Sequence, residues 1–125
     1  MSRRYLTLID VIGIHALQIQ VFGGGQGLRD PGQLEAALFR PQSGYYDDLI
    51  SEAAALWESL SQNHPFVDGN KRTAFAATGV FLMLNGMQMT AKDTEAKAFL
   101  SGLYETNSLE FEVLKAWLQE NTAPL

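Results

Sequence analysis

Apolar residues recur at helical spacing over most of the chain. Leu6, Ile9, Ile12, Leu17 and Val21 fall close to one helical stripe and predict an amphipathic helix from about Thr7 to Phe22, stopped by Gly23. Asp30 as N-cap, Pro31 at the first helical position and Gln33 three residues after the cap predict a short helix through Phe39. The pattern fails between Pro41 and Asp48, where Ser43-Gly44 followed by Tyr45-Tyr46 reads as a turn and a short extended segment. Asp47 and Asp48 then cap a helix from Leu49 to Gln62, with Ile50, Ala53, Trp57 and Leu60 as its apolar stripe. The stretch from Asn70 to Leu84 is apolar nearly all round, with Ala74, Ala76, Ala77 and Gly79 permitting close approach, so it is predicted to be the central buried helix, ended by Asn85-Gly86. Thr90 with Asp93, and Asn107 with Glu110, resemble capping boxes for helices reaching Tyr104 and Glu120.

The fold class is therefore all-α: a compact bundle of six helices around a central buried one, with at most a short hairpin at Ser43–Tyr46. A chain of 125 residues that is 46% hydrophobic fits a single domain, residues 1–125. No internal repeat is evident.

One junction concentrates the chemistry. His64-Pro65-Phe66-Val67-Asp68-Gly69-Asn70-Lys71-Arg72 places an imidazole, a carboxylate, an amide and two cations where one predicted helix ends and the next begins. Pro65 lacks a donor and pushes His64 out of the α region, which puts the histidine on a turn. A helix start offers unpaired backbone N–H groups and the positive end of the helix dipole, and Gly69 permits close approach of an anion. Lys71 and Arg72 oppose that dipole unless an anion lies between them. Arg72 offers a planar fork, Lys71 a compact charge, Asp68 a magnesium ligand and His64 a proton acceptor. As isolated residues these are ordinary caps and surface charges; clustered, they point to phosphate.

Other features carry less. Gly23, Gly24, Gly25 and Gly27 lack the Lys-Ser/Thr of a phosphate-binding Walker loop and read as helix stop plus linker. His15 has no partner at ligand spacing and is expected to face solvent or a neighbouring helix. Nothing catalytic is evident after Gly86, where Phe99, Leu103, Phe111, Leu114, Trp117 and Leu118 read as packing stripes.

A net charge of −5 with nine scattered basic residues argues against a nucleic-acid surface and favours a small phosphate ligand. The absence of cysteine excludes a disulfide framework, a thiolate metal site and a cysteine nucleophile, and accords with a cytoplasmic location. No signal-like segment or run of membrane-spanning length is present, so no membrane association is expected.

The motif His64-Pro65-Phe66-x-Asp68-Gly69-Asn70-Lys71-Arg72 resembles the signature of the Fic/Doc superfamily, and the lysine before Arg72 resembles the death-on-curing (Doc) toxin branch. Fic adenylyltransferases usually carry glycine at that place. Phe22-Gly23-Gly24, Gly27 through Gly32, Leu34 through Ala37 and Phe81 through Gly86 read like that branch in order, over roughly residues 5 to 90. Gln62 and Ala76 depart from it, standing where a positive and a polar side chain are expected.

The resemblance implies a toxin of a type II toxin–antitoxin pair that uses ATP and magnesium to modify a translation component, with elongation factor Tu the implied target and a separate antitoxin covering the cleft. No self-inhibitory Ser/Thr-x-x-x-Glu-Gly or Glu-Asn helix appears in the sequence. By the same resemblance His64 is the general base and Asp68 holds magnesium. Gly69, Asn70, Lys71 and Arg72 contact phosphate, and Ser43, Gly44, Tyr45 and Tyr46 form a flap that docks the target by strand addition. Lys71 favours γ-phosphoryl transfer over AMP transfer, because a long cation where glycine usually stands obstructs the AMP-transfer pose. Two other readings stay open: AMP transfer, and a non-enzymatic module that binds a phosphorylated or acidic partner.

Overall fold

The computed structural model describes residues 2–125. Six α-helices follow one another: α1 (Leu8–Phe22), α2 (Pro31–Phe39), α3 (Leu49–Gln62), α4 (Asn70–Leu84), α5 (Asp93–Thr106) and α6 (Phe111–Glu120). A 3-10 turn, Arg40–Gln42, extends α2, and two short strands, β1 (Met87–Met89) and β2 (Thr122–Pro124), pair antiparallel with Gln88 opposite Ala123. The all-α prediction and the bounds of the first four helices hold.

Local chemistry explains those bounds. Thr7 Oγ1 accepts the Asp10 N–H at 3.2 Å while the Asp10 carboxylate accepts the Thr7 N–H at 2.8 Å, a reciprocal cap for α1. Gly23, at φ 81°, ends it in a conformation that costs glycine little. Asp30 caps α2 through the Gln33 N–H at 3.1 Å, and Asp48 caps α3 through the Ser51 N–H at 2.7 Å. The last bond holds the Asp48 carboxyl below its ordinary value.

Four expectations are corrected. The innermost helix is α3, not α4: Ser51 to Trp57 and Ser59 to Ser61 are all buried, whereas Val80, Met83 and Leu84 of α4 face outward. Ala53, Ala54 and Ala55 let α2, α4 and α6 gather around α3, whose Trp57 is fully buried beside Phe75 and Trp117.

On α1 the buried row is Val11, His15 and Ile19, while Ile9, Ile12, Leu17 and Val21 are exposed. A helix apolar on every side gives no periodic signal for the face it will bury.

Thr90 donates its N–H to Asn121 O at 2.8 Å, beside the β1–β2 pair, and Lys92 is the N-cap of α5. Asn107, at φ 52°, is the C-cap of α5, while Glu110 opens α6.

The two strands join the end of α4 to the C-terminus, and residues 43–48 form no strand. Arg40 accounts for that. Its Nε donates to Tyr46 Oη at 2.7 Å and its Nη1 to Glu58 Oε1 at 2.6 Å, which ties Tyr46 down against α3 and leaves Tyr45 exposed.

Because α3 is the element on which the other helices lean, its cap bears on the whole fold. Asp48→Ala is expected to lower the unfolding free energy by about 1 kcal/mol in urea denaturation, without altering the native far-ultraviolet circular dichroism. An unchanged urea midpoint would remove the cap from the account.

Candidate active site

The charged motif lies between α3 and α4, and its backbone is held from several sides. Asn63 closes α3, its N–H donating to Ser59 O at 2.9 Å and its side-chain amide to Gln33 O at 3.2 Å. His64 follows at φ 49°, in the left-handed region, with its side chain exposed. The His64 carbonyl accepts from the Arg29 guanidinium, with Nε at 3.0 Å. Pro65 O accepts the Arg29 and Asp30 N–H groups at 2.8 and 2.9 Å, and the Val67 N–H reaches Gly27 O at 3.0 Å. The segment from Gly27 to Asp30 thus runs beside the motif and pairs with it, with Leu28 bridged to Phe66.

Phe66 is buried and clamped at both backbone groups by one side chain. Asn70 Oδ1 accepts the Phe66 N–H at 2.9 Å, and Asn70 Nδ2 donates to Phe66 O at 3.0 Å. The amide of Asn70 therefore serves the loop, and what Asn70 can offer a ligand is its backbone N–H.

The loop 23–27 is more than a linker. The Gly25 N–H donates to Asp68 Oδ2 at 3.1 Å, and the Gly69 N–H to Asp68 Oδ1 at 2.8 Å. These backbone bonds, with Arg72 and His15 adding to them, hold the Asp68 carboxyl below its ordinary value of 3.8. Gly24 sits so close that a Cβ there would lie 2.7 Å from Asp68 Oδ2, at a φ of +119°. Gly69, at φ 74°, turns the chain into α4, and a Cβ there would lie 3.1 Å from Ile19 Cδ1.

His15 also departs from expectation. It is buried, its ring lies parallel to that of Phe66 with centroids 3.9 Å apart, and its Nε2 is 2.8 Å from Asp68 O.

Beyond Gly69 the backbone N–H groups of Asn70, Lys71 and Arg72 have no acceptor among the described residues; the first helical bond is from the Thr73 N–H to Gly69 O at 2.9 Å. These donors open on a cleft of about 460 Å³ lined by His64, Val67, Asp68, Gly69, Asn70, Lys71, Arg72 and Tyr104. Arg72 Nη2 donates to Gly23 O at 3.1 Å, and its guanidinium lies 5.5 Å from the centre of the Phe22 ring. Lys71 Nζ stands 4.3 Å above the Tyr104 ring, whose hydroxyl is pushed up from its ordinary value by burial.

The cleft thus gathers His64, Asp68, Gly69, Asn70, Lys71 and Arg72, and adds Tyr104 of α5, for which the sequence carried no signal. Ser43, Gly44, Tyr45 and Tyr46 line none of its walls. Gln62 Nε2 donates to Leu109 O at 2.7 Å, which commits its amide N–H to the segment before α6. A larger groove of about 560 Å³ on the other side of His15 and Phe66 is lined by α1 and the glycine loop and holds none of the motif's charged groups.

Among the described residues no three or more His, Cys, Asp or Glu side chains gather to form a metal site by themselves. Asp68 is the one carboxylate at the cleft, and each of its oxygens takes only one hydrogen bond from the chain. That suits magnesium, which is commonly held by one or two carboxylates with water and substrate phosphates.

The depressed Asp68 carboxyl has an acid-range consequence. Its stabilising contribution is fully present above the ordinary value of 3.8 and is lost as pH falls through the lower folded-state value. Followed by carboxyl carbon NMR, Asp68 is expected to titrate below 3.8. Gly24→Ala displaces the carboxylate and is expected to bring that titration back up toward 3.8; identical curves would show that the glycine loop does not hold Asp68.

The Fic/DOC family model matches residues 5–82, from the segment before α1 to near the end of α4. Toxin Doc of Mycolicibacterium smegmatis is 46% identical over 92 residues, spanning 70% of this chain and 68% of that protein. Protein kinase doc of Escherichia phage P1 is 34% identical over 90 residues, spanning 69% of this chain and 71% of that protein.

Proposed function

The chain belongs to the Fic/Doc family, and from that premise we propose that it is the toxin of a toxin–antitoxin pair, a phosphotransferase that moves the γ-phosphoryl group of ATP to a serine or threonine hydroxyl of a partner protein. The observation carrying this reading is the cleft at the start of α4, where three unpaired backbone N–H groups, two cations, a carboxylate and an exposed imidazole face one volume. The relatives named Toxin Doc and Protein kinase doc accord with it.

In this reading the N–H groups of Asn70, Lys71 and Arg72 bind phosphate oxygens, with Gly69 letting them approach. Lys71 and Arg72 offset charge on the phosphoryl oxygens as transfer proceeds. Asp68 would hold magnesium, which when bound would neutralise part of the phosphate charge. His64, exposed on its turn, accepts the proton of the attacking hydroxyl. The hydroxyl oxygen forms a bond to the γ-phosphorus, the bond from that phosphorus to the β–γ bridging oxygen breaks, and ADP leaves. Positioning supplies most of the rate in such chemistry.

Lys71 favours this reading over the alternative of AMP transfer. Its ammonium is held over Tyr104 inside the cleft and fills space beside the phosphate donors.

A translation factor such as elongation factor Tu is the proposed target, with Ser43 to Tyr46 as the docking segment, where Tyr45 is 82% exposed. The exposed Leu17 and Val21, one turn apart on α1, would give a separate antitoxin an apolar face to cover. No helix among the described residues is long and apolar enough to cross a membrane, which accords with the proposed cytoplasmic site of action.

The test is incubation of the protein with magnesium, a cell extract and ATP labelled at either the α or the γ phosphate. Label from the γ position alone on a protein band is the expected result. Label from the α position would establish AMP transfer, and no label from either would favour a binding module. His64→Ala is expected to lower the rate by at least about a hundredfold while leaving the melting temperature within a few degrees, and wild-type activity in that variant would remove His64 from the mechanism.

A further inference from the structure

We infer that His15 is a positioning residue for the phosphate site, acting through the Asp68 carbonyl. This rests on the cleft's proposed use for MgATP.

Its imidazole is buried to 4% exposure, and Nε2 lies 2.8 Å from Asp68 O. A carbonyl oxygen cannot donate, so Nε2 must carry the hydrogen, and in the neutral ring Nδ1 is bare. The ring stacks on Phe66 at an interplanar angle of 4°, and its Nε2 lies 3.8 Å from where a Cβ on Gly69 would be. It therefore touches the motif at Phe66 and at Asp68 O, and stands close to Gly69.

What this contact does follows from the neighbouring donors. Continuing the helical pattern backward from Gly69 would make Asp68 O the acceptor for the Arg72 N–H, consuming one of the three donors that face the cleft. His15 takes that carbonyl instead. The carbonyls of His64, Pro65 and Phe66 are likewise held, by Arg29, by the backbone of Arg29 and Asp30, and by Asn70. His15 holds the carbonyl of Asp68, directly before the N-cap Gly69. Without it, Asp68 O is either left unpaired or pairs inward, and the Asp68 carboxylate moves with its backbone.

A histidine serving only the core would affect stability; one that positions the donors affects MgATP as well. In His15→Phe the stacking ring remains and the donor is lost, while in His15→Gln an amide N–H can reach Asp68 O. The phenylalanine variant is expected to raise the KM for MgATP by at least about tenfold, and the glutamine variant to return to within about threefold of wild type. Wild-type KM in a cooperatively melting phenylalanine variant would overturn the inference, as would equal KM values in two folded variants.

Imidazole nitrogen NMR on the unaltered protein decides the matter if the phenylalanine variant does not fold. A slowly exchanging hydrogen on His15 Nε2 is expected, and a bare Nε2 overturns the assignment. Should the unaltered protein transfer no label at all, the proposed function fails; the His15 inference is then read from this spectrum and from the MgATP dissociation constant by calorimetry.

Discussion

The site depends on one constraint: the carbonyl groups of His64, Pro65, Phe66 and Asp68 each accept a hydrogen bond, from Arg29, from the backbone of Arg29 and Asp30, from the Asn70 side chain and from His15. A loop that enters a helix normally has carbonyls as well as N–H groups available, and the two signs of dipole cancel for an incoming ion. Here the carbonyls are committed elsewhere and the N–H groups of Asn70, Lys71 and Arg72 are left without acceptors. These unpaired N–H groups stand at the same helix start as Lys71 and Arg72, so a chain with a net charge of −5 still gathers anion donors at one place.

That constraint also explains the surrounding architecture. The donors come from α1, from the segment between α1 and α2, and from α4 itself, so α1 and α2 must pack where they do for the loop to be held. The central position of α3 supports this arrangement, because its C-terminal end carries the motif and its buried length is the surface on which α2, α4 and α6 assemble. A loop stabilised by hydrogen bonds to three other elements is far more rigid than a free turn, and rigidity is what the proposed phosphoryl transfer would require.

Balanced against the anion donors is Asp68, a carboxylate placed close to the same helix start. The Gly25 and Gly69 N–H groups hold its carboxyl below the ordinary value and fix where its oxygens stand. Anion donors and a carboxylate thus stand side by side, the pairing on which the proposed use of MgATP rests.

The amino-acid sequence by itself determined the helix bounds from α1 to α4 and the grouping of charged residues around His64–Arg72. Both rest on neighbours a few positions apart: Thr7 with Asp10, Asp30 with Gln33, Asp48 with Ser51, and a proline directly after the histidine. Only the tertiary structure decided that α1 buries His15 rather than Ile12, that Asn70 serves Phe66, that α3 rather than α4 is innermost, and that Tyr104 reaches the cleft. His15 and Asp68 stand 53 positions apart, and Gly25 and Asp68 43. An apolar helix such as α1 has several faces of nearly equal burial energy, and which one turns inward is settled by packing against elements that lie far away along the chain.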